Sequence, residues 1–176
     1  MRNFCVAKNT KQYGSINQQG KTGRAQARQF FNHYKHIPFD KVYTSTLKRS
    51  QQSVQLFIDL PIPHEAFGGL NEISWGEMDG KIASDEASNV YWDMVRSWAS
   101  GNVDAKIETG ESPREVQRRI APAMALIGSR ESEKNILICM HGRAMRILLA
   151  TILGKELKTM DEFEHHNLCL YLLRYE

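Results

Sequence analysis

The chain has 176 residues, of which 41% are hydrophobic and 24% are charged. This length corresponds to about one domain and suffices to form a hydrophobic core without metals or disulfides. No apolar run approaches the roughly 20 residues that span a bilayer, so we expect no membrane segment. The 23 basic residues are interspersed with 20 acidic ones and leave a net charge of +3 without a basic stripe, which excludes a typical nucleic-acid-binding surface.

The first half of the chain alternates between predicted strands and helices. A short apolar run at 4–7 predicts a buried strand, and apolar positions at helical spacing predict a helix at about 22–35. β-Branched residues and alternation at 39–45 predict a second strand, which leads directly into a predicted helix at 47–58. A loop is expected at 68–80.

The second half continues the same alternation. The strongest start signal precedes a helix at Pro113, because Ser112 can cap its first turn and Glu115 completes a capping box. The apolar run at 135–140 is typical of a central strand that is covered on both faces. The predicted elements are a helix at 83–98, a helix at 113–129, a strand at 135–140, a helix at 143–153 and a strand at 168–174.

This order predicts an α/β fold, a three-layer α/β/α sandwich around a mainly parallel, doubly wound sheet. We expect a single domain over 1–176, with an insert or lid at about 77–111. In such sheets the ligand crevice lies at the carboxyl ends of the strands. Three polar clusters fall there: Lys8-Asn9-Thr10, Ser45 to Arg49, and His141 to Arg143.

The N-terminus has too short an apolar stretch for a signal peptide, so a cytoplasmic location is expected. Cys5, Cys139 and Cys169 each lie in an apolar stretch without a paired motif, which predicts buried free thiols. No P-loop, dinucleotide-binding or zinc motif is present, and we predict that no cofactor and no metal is required.

His141 and Gly142 mark the junction between a predicted buried strand and a helix. Such a junction offers backbone N–H groups and the positive end of the helix dipole to an anion, and glycine lets a ligand come close. We therefore take His141 as a candidate site residue. A purely structural histidine is the alternative.

Lys48 and Arg49 fall in the first turn of the helix predicted at 47–58. The helix dipole disfavours cations at that position, so an anionic partner would explain them, and arginine is well suited to binding a phosphoryl group with two hydrogen bonds. A solvated helix face is the alternative interpretation.

Glu72 lies between apolar neighbours in the loop at 68–80. A partly desolvated carboxyl group can protonate a departing oxygen, which makes Glu72 a candidate general acid. The alternative is a loop glutamate that pairs with a nearby lysine or arginine.

Taken together, these segments resemble the histidine phosphatase superfamily, in particular its phosphoglycerate-mutase branch. The likeness covers nearly the whole chain, and Gly23 to Ala27 is similar to that family's first helix. It implies a phosphoglycerate mutase-like fold and a phosphoryl transfer through a transient phosphohistidine. Arg49 is similar to the family's phosphate-binding arginine, Glu72 to its proton donor and His141 to its second histidine, and Gly142 would lend its backbone N–H.

The chain departs from this family at the nucleophile. Members of the family carry Arg-His-Gly just after the first strand, whereas this chain has no histidine before His33. Compared with the loop length usual in that family, roughly eight residues after Ala7 are missing. Lys8 could add positive charge to a phosphate pocket, but an ammonium group with a pKa of about 10.4 is a poor nucleophile. Either the protein is a catalytically impaired relative or the sequence omits a segment of the functional protein.

No other side chain is a convincing replacement nucleophile. Cys139 does not fit the C-x5-R pattern of cysteine phosphatases, because Arg146 comes one position too late. Trp92, Met94 and Trp98 in the helix at 83–98 are interpreted as packing residues, with a lid that selects the substrate as the alternative. The remaining histidines are interpreted as surface, core or rim residues: His33, His36, His64, His165 and His166.

The sequence thus predicts a phosphomonoesterase or mutase-like site, in a monomer or homodimer, for a small phosphorylated metabolite or inorganic phosphate. Turnover is expected to be very low. The alternative is a pseudophosphatase that binds a phosphate ester without converting it. A purely structural protein would give no reason for three polar clusters at strand ends.

Overall fold

The computed structural model describes residues 2–8, 21–80 and 85–175, so Asn9, Thr10 and the loop predicted to follow them lie outside the described residues. The strands and helices within these ranges are β1 (Arg2–Lys8), α1 (Lys21–Tyr34), β2 (Lys41–Ser45), α2 (Lys48–Ser53), α3 (Gln55–Ile58), β3 (His64–Phe67), α4 (Asp85–Ala99), α5 (Pro113–Ser129), β4 (Asn135–Met140), α6 (Gly142–Ile152) and β5 (Leu170–Tyr175). None of these helices is both long enough and apolar enough to cross a membrane.

The sheet has five strands in the order β3-β2-β4-β1-β5, and all neighbours are parallel except the β1–β5 pair. Lys8 on β1 lies opposite Met140 on β4, and Thr44 on β2 lies opposite Cys139. The carboxyl ends of β1, β4 and β2 therefore lie side by side at one edge of the sheet. The prediction of a mainly parallel sheet is confirmed.

Helices cover both faces of the sheet. On β4, Ile138 and Met140 pack in a core with α5 and α6, whereas Leu137 and Cys139 pack on the opposite face with α1 and α3. Both faces of β4 are buried, which explains why its sequence is a continuous apolar run. The three-layer α/β/α arrangement is confirmed.

The helix predicted at 47–58 is interrupted at Val54, where φ is −120° and ψ is 19°. The Ser53 hydroxyl donates a 2.7 Å hydrogen bond to the carbonyl oxygen of Arg49, a local bond that bends helices. The result is two short helices, α2 and α3.

Strand β3 was not predicted, and His64 begins this strand rather than lying in a connection. β3 is a short edge strand with half-buried and exposed residues, so its sequence has no clear apolar alternation. The Nε2 atom of His64 lies 2.9 Å from the Thr44 hydroxyl on β2. This residue therefore has a structural partner away from the carboxyl edge.

The last strand begins at Leu170 rather than at the predicted Leu168. Leu168 has φ +56°, in the left-handed region that a strand residue does not adopt. The chain turns there and returns as β5, antiparallel to β1.

Candidate functional site

Two strand ends meet at His141. Its Nε2 atom lies 2.6 Å from the hydroxyl oxygen of Ser45, the last residue of β2. The Ser45 hydroxyl also lies 2.7 Å from that of Ser50 on α2, and the side chain of His141 is only 1% exposed. The imidazole is therefore held in a fixed position between β4 and β2.

Positive charges surround this imidazole. Burial lowers the pKa of His141 well below its ordinary value, and the positive charges of Arg49, Arg119 and Lys8 lower it further. The ring is therefore neutral at neutral pH. Three cations near one buried neutral group favour the binding of an anion between them.

Glu72 occupies the N-terminus of α6. Its Oε1 atom accepts hydrogen bonds from the backbone N–H groups of Ala144, at 2.9 Å, and Ile73, at 3.1 Å. Its Oε2 atom accepts a longer bond of 3.3 Å from the N–H of Arg143. The expectation that the N–H groups around 141–143 face an external anion is therefore wrong for Arg143. Gly142 is the first residue of α6, and its N–H has no acceptor within the helix.

Arg119 on α5 holds the loop that carries Glu72. Its guanidinium group donates to the carbonyl oxygens of Gly69, at 2.9 Å, and Glu72, at 3.0 Å. It also binds both carboxylate oxygens of Glu111, at 2.7 and 2.9 Å. Burial alone would raise the pKa of Glu111, but the bonds from Arg119 and from the Ser74 N–H outweigh burial and lower it. Nothing in the sequence distinguishes Arg119 from its neighbour Arg118.

Asn71 joins the same loop to the turn after β2. Its Oδ1 atom accepts hydrogen bonds from the backbone N–H and from the hydroxyl of Thr46, both at 2.9 Å. Asn71 and Glu72 thus connect the segment that carries Arg49 with the segment that carries His141. Sequence reasoning did not single out Asn71.

Lys8 and His165 lie against Gly142. The ammonium group of buried Lys8 donates a 2.8 Å hydrogen bond to Asn167. A Cβ atom at Gly142 would lie 2.8 Å from Nε2 of His165 and 3.2 Å from Cε of Lys8, so a larger residue there would displace these two side chains. His165 is thus partly buried next to the site, in a position that its sequence context does not indicate.

The other candidate nucleophiles lie elsewhere or are unreactive. His33 is exposed at the end of α1 and His36 just beyond it. Cys5, Cys139 and Cys169 are buried free thiols, as predicted, and burial raises the pKa of Cys139 far above its ordinary value. Within the described ranges, no group of three histidine, cysteine or acidic side chains is arranged to hold a metal ion.

The carboxyl ends of the parallel strands thus bring together cations, a neutral imidazole and a helix N-terminus. This combination defines an α/β protein with an anion site. The family model of the histidine phosphatase superfamily (branch 1) matches residues 20–176. The chain belongs to this superfamily, as its motifs predict.

Curated relatives include mutases and phosphatases. The chain is 27% identical over 135 residues to 2,3-bisphosphoglycerate-dependent phosphoglycerate mutase 2 of Gloeobacter violaceus, covering 72% of this chain and 60% of the mutase. It is 28% identical over 120 residues to the human 6-phosphofructo-2-kinase/fructose-2,6-bisphosphatase 3, covering 68% of this chain and 22% of that protein. The chain therefore spans only part of the length of these relatives.

Solved structures share the fold. The α-ribazole phosphatase of Shigella flexneri matches with a TM-score of 0.83 and 19% identity, covering 99% of this chain and 91% of that one. A histidine-to-alanine mutant of Entamoeba histolytica phosphoserine phosphatase, in complex with phosphoserine, matches with a TM-score of 0.81 and 19% identity, covering 100% of this chain and 92% of that one. These matches confirm the phosphoglycerate mutase-like fold class.

Proposed function

We propose that this protein binds a small phosphate monoester at the carboxyl ends of β1, β2 and β4 and hydrolyses it slowly. The observation that carries this proposal is the buried neutral imidazole of His141 with the positive charges of Arg49, Arg119 and Lys8 around it. Arg119 is paired with Glu111, so Arg49 and Lys8 provide the positive charge that a phosphate dianion would neutralise.

Arg49 and Lys8 bind the phosphoryl oxygens in this proposal. Arginine can donate two parallel hydrogen bonds to phosphate, and Lys8 adds a point charge beside Gly142. The N–H of Gly142, the first of α6, donates to a third oxygen. The neutral His141 ring lies between these cations and is held by the contact of its Nε2 with Ser45.

Glu72 serves as proton donor to the departing alkoxide. Its Oε1 atom accepts two backbone hydrogen bonds and its Oε2 atom only the longer one from Arg143, so Oε2 is the oxygen with room for a proton. A water molecule attacks phosphorus as the bond to the leaving oxygen breaks, and Glu72 donates its proton to that oxygen. Glu72 regains a proton from the attacking water, so the products are the alcohol and inorganic phosphate.

Turnover is slow because the sequence has no histidine before His33, where the family places its nucleophile. The same observation favours a second candidate, a pseudophosphatase that only binds the ester. The Entamoeba histolytica mutant that holds phosphoserine supports this alternative, because that relative binds a phosphate ester with one histidine removed.

The test combines binding with turnover. Calorimetry with methylphosphonate measures the affinity for the phosphoryl group, and p-nitrophenyl phosphate reports phosphate release and acid-labile phosphoprotein. We expect Arg49→Ala and His141→Ala each to weaken methylphosphonate binding by roughly 10- to 100-fold, the loss of one or two charge-assisted hydrogen bonds. Arg118→Ala, on the exposed face of α5, is the control.

Each outcome separates the candidates. Slow release that disappears in both variants supports the phosphatase, and binding without release supports the pseudophosphatase. Brisk hydrolysis by the wild-type chain contradicts slow turnover. Failure to bind methylphosphonate contradicts both.

A further inference from the structure

A half-open apolar cavity of about 150 Å³ lies between α4 and the loop that follows Glu72. Its lining residues are Trp75, Met78, Val90, Tyr91 and Ile107. Four of these five belong to the segment 77–111, which the sequence predicts to be an insert or lid. Among these lining residues there is no charged side chain that could bind a second ionic group.

Arg143 connects the cavity to the site. Its guanidinium group donates a 3.0 Å hydrogen bond to the Tyr91 hydroxyl, which belongs to the cavity wall. Its backbone N–H donates to Oε2 of Glu72 at 3.3 Å, and Trp75 follows Glu72 by only three residues. One residue therefore contacts both the proposed proton donor and the cavity wall.

The wall nearest the site is held in place by packing. The Trp75 ring lies 5.0 Å from that of Tyr91 and 5.5 Å from that of Trp98, between centroids. The Arg143 guanidinium lies 5.4 Å from the centre of the Trp98 ring, and it also pairs with Asp161. Arg143 is thus fixed by an aromatic ring, a hydroxyl and a carboxylate, and it holds the Tyr91 hydroxyl in turn.

We propose that this cavity binds the alcohol part of the phosphate ester, and that this part is an aromatic ring or an apolar group of similar size. The inference rests on the proposed function, because it needs a phosphoryl group bound beside Glu72. An apolar cavity of this size can hold one benzene ring, which sets the size of the group. The described lining residues carry no charge, and Arg143 behind Tyr91 is already paired with Asp161, which disfavours a short hydroxy acid with a carboxylate in the cavity.

The cavity explains two features of the insert. Val90 is 37% exposed and Trp92 is 55% exposed, so Trp92 packs against Tyr91 rather than in the core, whereas Trp98 is buried in the core. Trp92 packs edge-on against Tyr91, with centroids 5.1 Å apart. An aromatic ligand would extend this row of rings.

The test uses phosphonates, because their carbon–phosphorus bond is not hydrolysed. Calorimetry compares methylphosphonate, which carries the head group alone, with benzylphosphonate, 2-phenylethylphosphonate and 2-carboxyethylphosphonate. We expect at least one phenyl compound to bind the wild-type chain about tenfold or more tightly than methylphosphonate, through burial of the ring. The carboxylate compound is expected to bind no more tightly than methylphosphonate.

Two variants locate the ring. Met78→Gln and Val90→Asn place uncharged polar groups in the cavity wall and are expected to remove most of the tenfold gain while leaving methylphosphonate affinity unchanged. Leu126→Asn is the matched control, since Leu126 is a 45% exposed aliphatic residue on another helix, α5. Its affinities should equal those of the wild-type chain.

The outcomes separate this inference from the proposed function. If methylphosphonate binds and the phenyl group adds nothing, the cavity does not receive the alcohol, although the phosphate site stands. A phenyl gain that survives both cavity variants also overturns the inference, because the ring must then lie elsewhere. If no phosphonate binds, both proposals fail.

Discussion

At the scale of single residues, the Ser45 hydroxyl helps to fix the position of the His141 ring. Ser45 lies within hydrogen-bonding distance of both His141 and Ser50, and all three side chains are buried. Loss of this partner would leave a buried polar atom of the imidazole unsatisfied. The Ser45 hydroxyl is therefore a positioning group for the proposed phosphate ligand.

Replacing Ser45 by alanine should weaken both binding and stability. We expect Ser45→Ala to reduce methylphosphonate affinity by roughly fivefold or more and the free energy of unfolding by about 1–3 kcal/mol, the usual effect of an unsatisfied buried polar group. Calorimetry and urea denaturation measure the two quantities. Thr151→Ala removes a hydroxyl near the far end of α6 and should lower stability alone. Equal ligand affinities for Ser45→Ala and the wild-type chain would exclude a positioning role.

Glu72 places a carboxyl group beside the proposed phosphate site, at the same helix N-terminus that an anion would use. In Glu72→Gln, an amide NH2 can face the N–H of Arg143, so we expect the free energy of unfolding to fall by about 1–2 kcal/mol. Removing the carboxyl group should also abolish phosphate release.

Dianion binding to Glu72→Gln should become tighter at pH 8, by roughly tenfold, because repulsion between the carboxylate and the phosphoryl oxygens is removed. Calorimetry with methylphosphonate measures this change. Glu77→Gln, an exposed acid of the same loop, is the control and should change neither affinity nor release. Weaker dianion binding to Glu72→Gln would show that the carboxyl group supports the ligand directly.

At the scale of elements, the site depends on the attachment of the Glu72 loop to α5. Arg119 makes this attachment through Gly69, Glu72 and Glu111, and its side chain is 23% exposed. We expect Arg119→Met to lower the free energy of unfolding by about 2–4 kcal/mol, because several partners lose their donor together.

The same Arg119→Met change should also weaken methylphosphonate binding by at least about tenfold, since both the loop and one nearby positive charge are affected. Urea denaturation and calorimetry test the two effects. Arg118→Met changes an exposed neighbour on α5 and should alter neither quantity. A loss of stability with unchanged affinity would show that the loop keeps its position without Arg119.

The elements that could be predicted from the sequence have strong local signals. Ser112 and Glu115 form the expected capping box at the start of α5, and β4 has the predicted bounds. The misses have no such signals: β3 is a half-exposed edge strand, and the break at Val54 arises from a side-chain to backbone bond. Local sequence therefore identifies the central elements and misses the edge strand β3 and the helix break at Val54.

The same distinction applies to the site. His141 and Ser45 could be expected to meet because parallel strands bring their carboxyl ends to one edge. Arg119, Asn71 and His165 reach the site from α5 and from two loops, and only tertiary packing decides where such side chains point. Sequence patterns therefore predict which residues lie at the strand ends, but they do not predict which side chains from other elements contact those residues.

At the scale of the whole molecule, the fold keeps two histidines neutral. The pKa of His141 is well below its ordinary value, mainly through burial. The pKa of His165 is lowered to about 4 by burial and by the positive charges of Arg146, Lys8 and Arg143. Both residues lie beside the proposed phosphate site, and the positive charge of Lys8 lowers the pKa of both.

This arrangement predicts a loss of stability in mild acid. Above pH 6.5 both histidines are neutral whether the chain is folded or unfolded, and they add no pH dependence. Between pH 6.5 and about 4 the unfolded chain binds protons that the folded chain does not, so the free energy of unfolding falls as the pH falls. Below about 4 folded His165 also binds its proton, and its contribution to the slope ends.

Urea denaturation at intervals between pH 7 and 5 measures this slope. His165→Gln should reduce it by up to about 1.4 kcal/mol per pH unit, the effect of one proton that only the unfolded chain binds. His36→Gln, at an exposed position beyond α1, is the control and should leave the slope unchanged. Measurements above pH 5 separate this effect from that of Glu65. The pKa of Glu65 is about 2 in the folded chain, and its carboxylate is protonated in the unfolded chain only below about 4.5. Loss of its salt bridges therefore lowers stability only in stronger acid. An unchanged slope in His165→Gln would mean that His165 can bind a proton in the folded chain as readily as in the unfolded one.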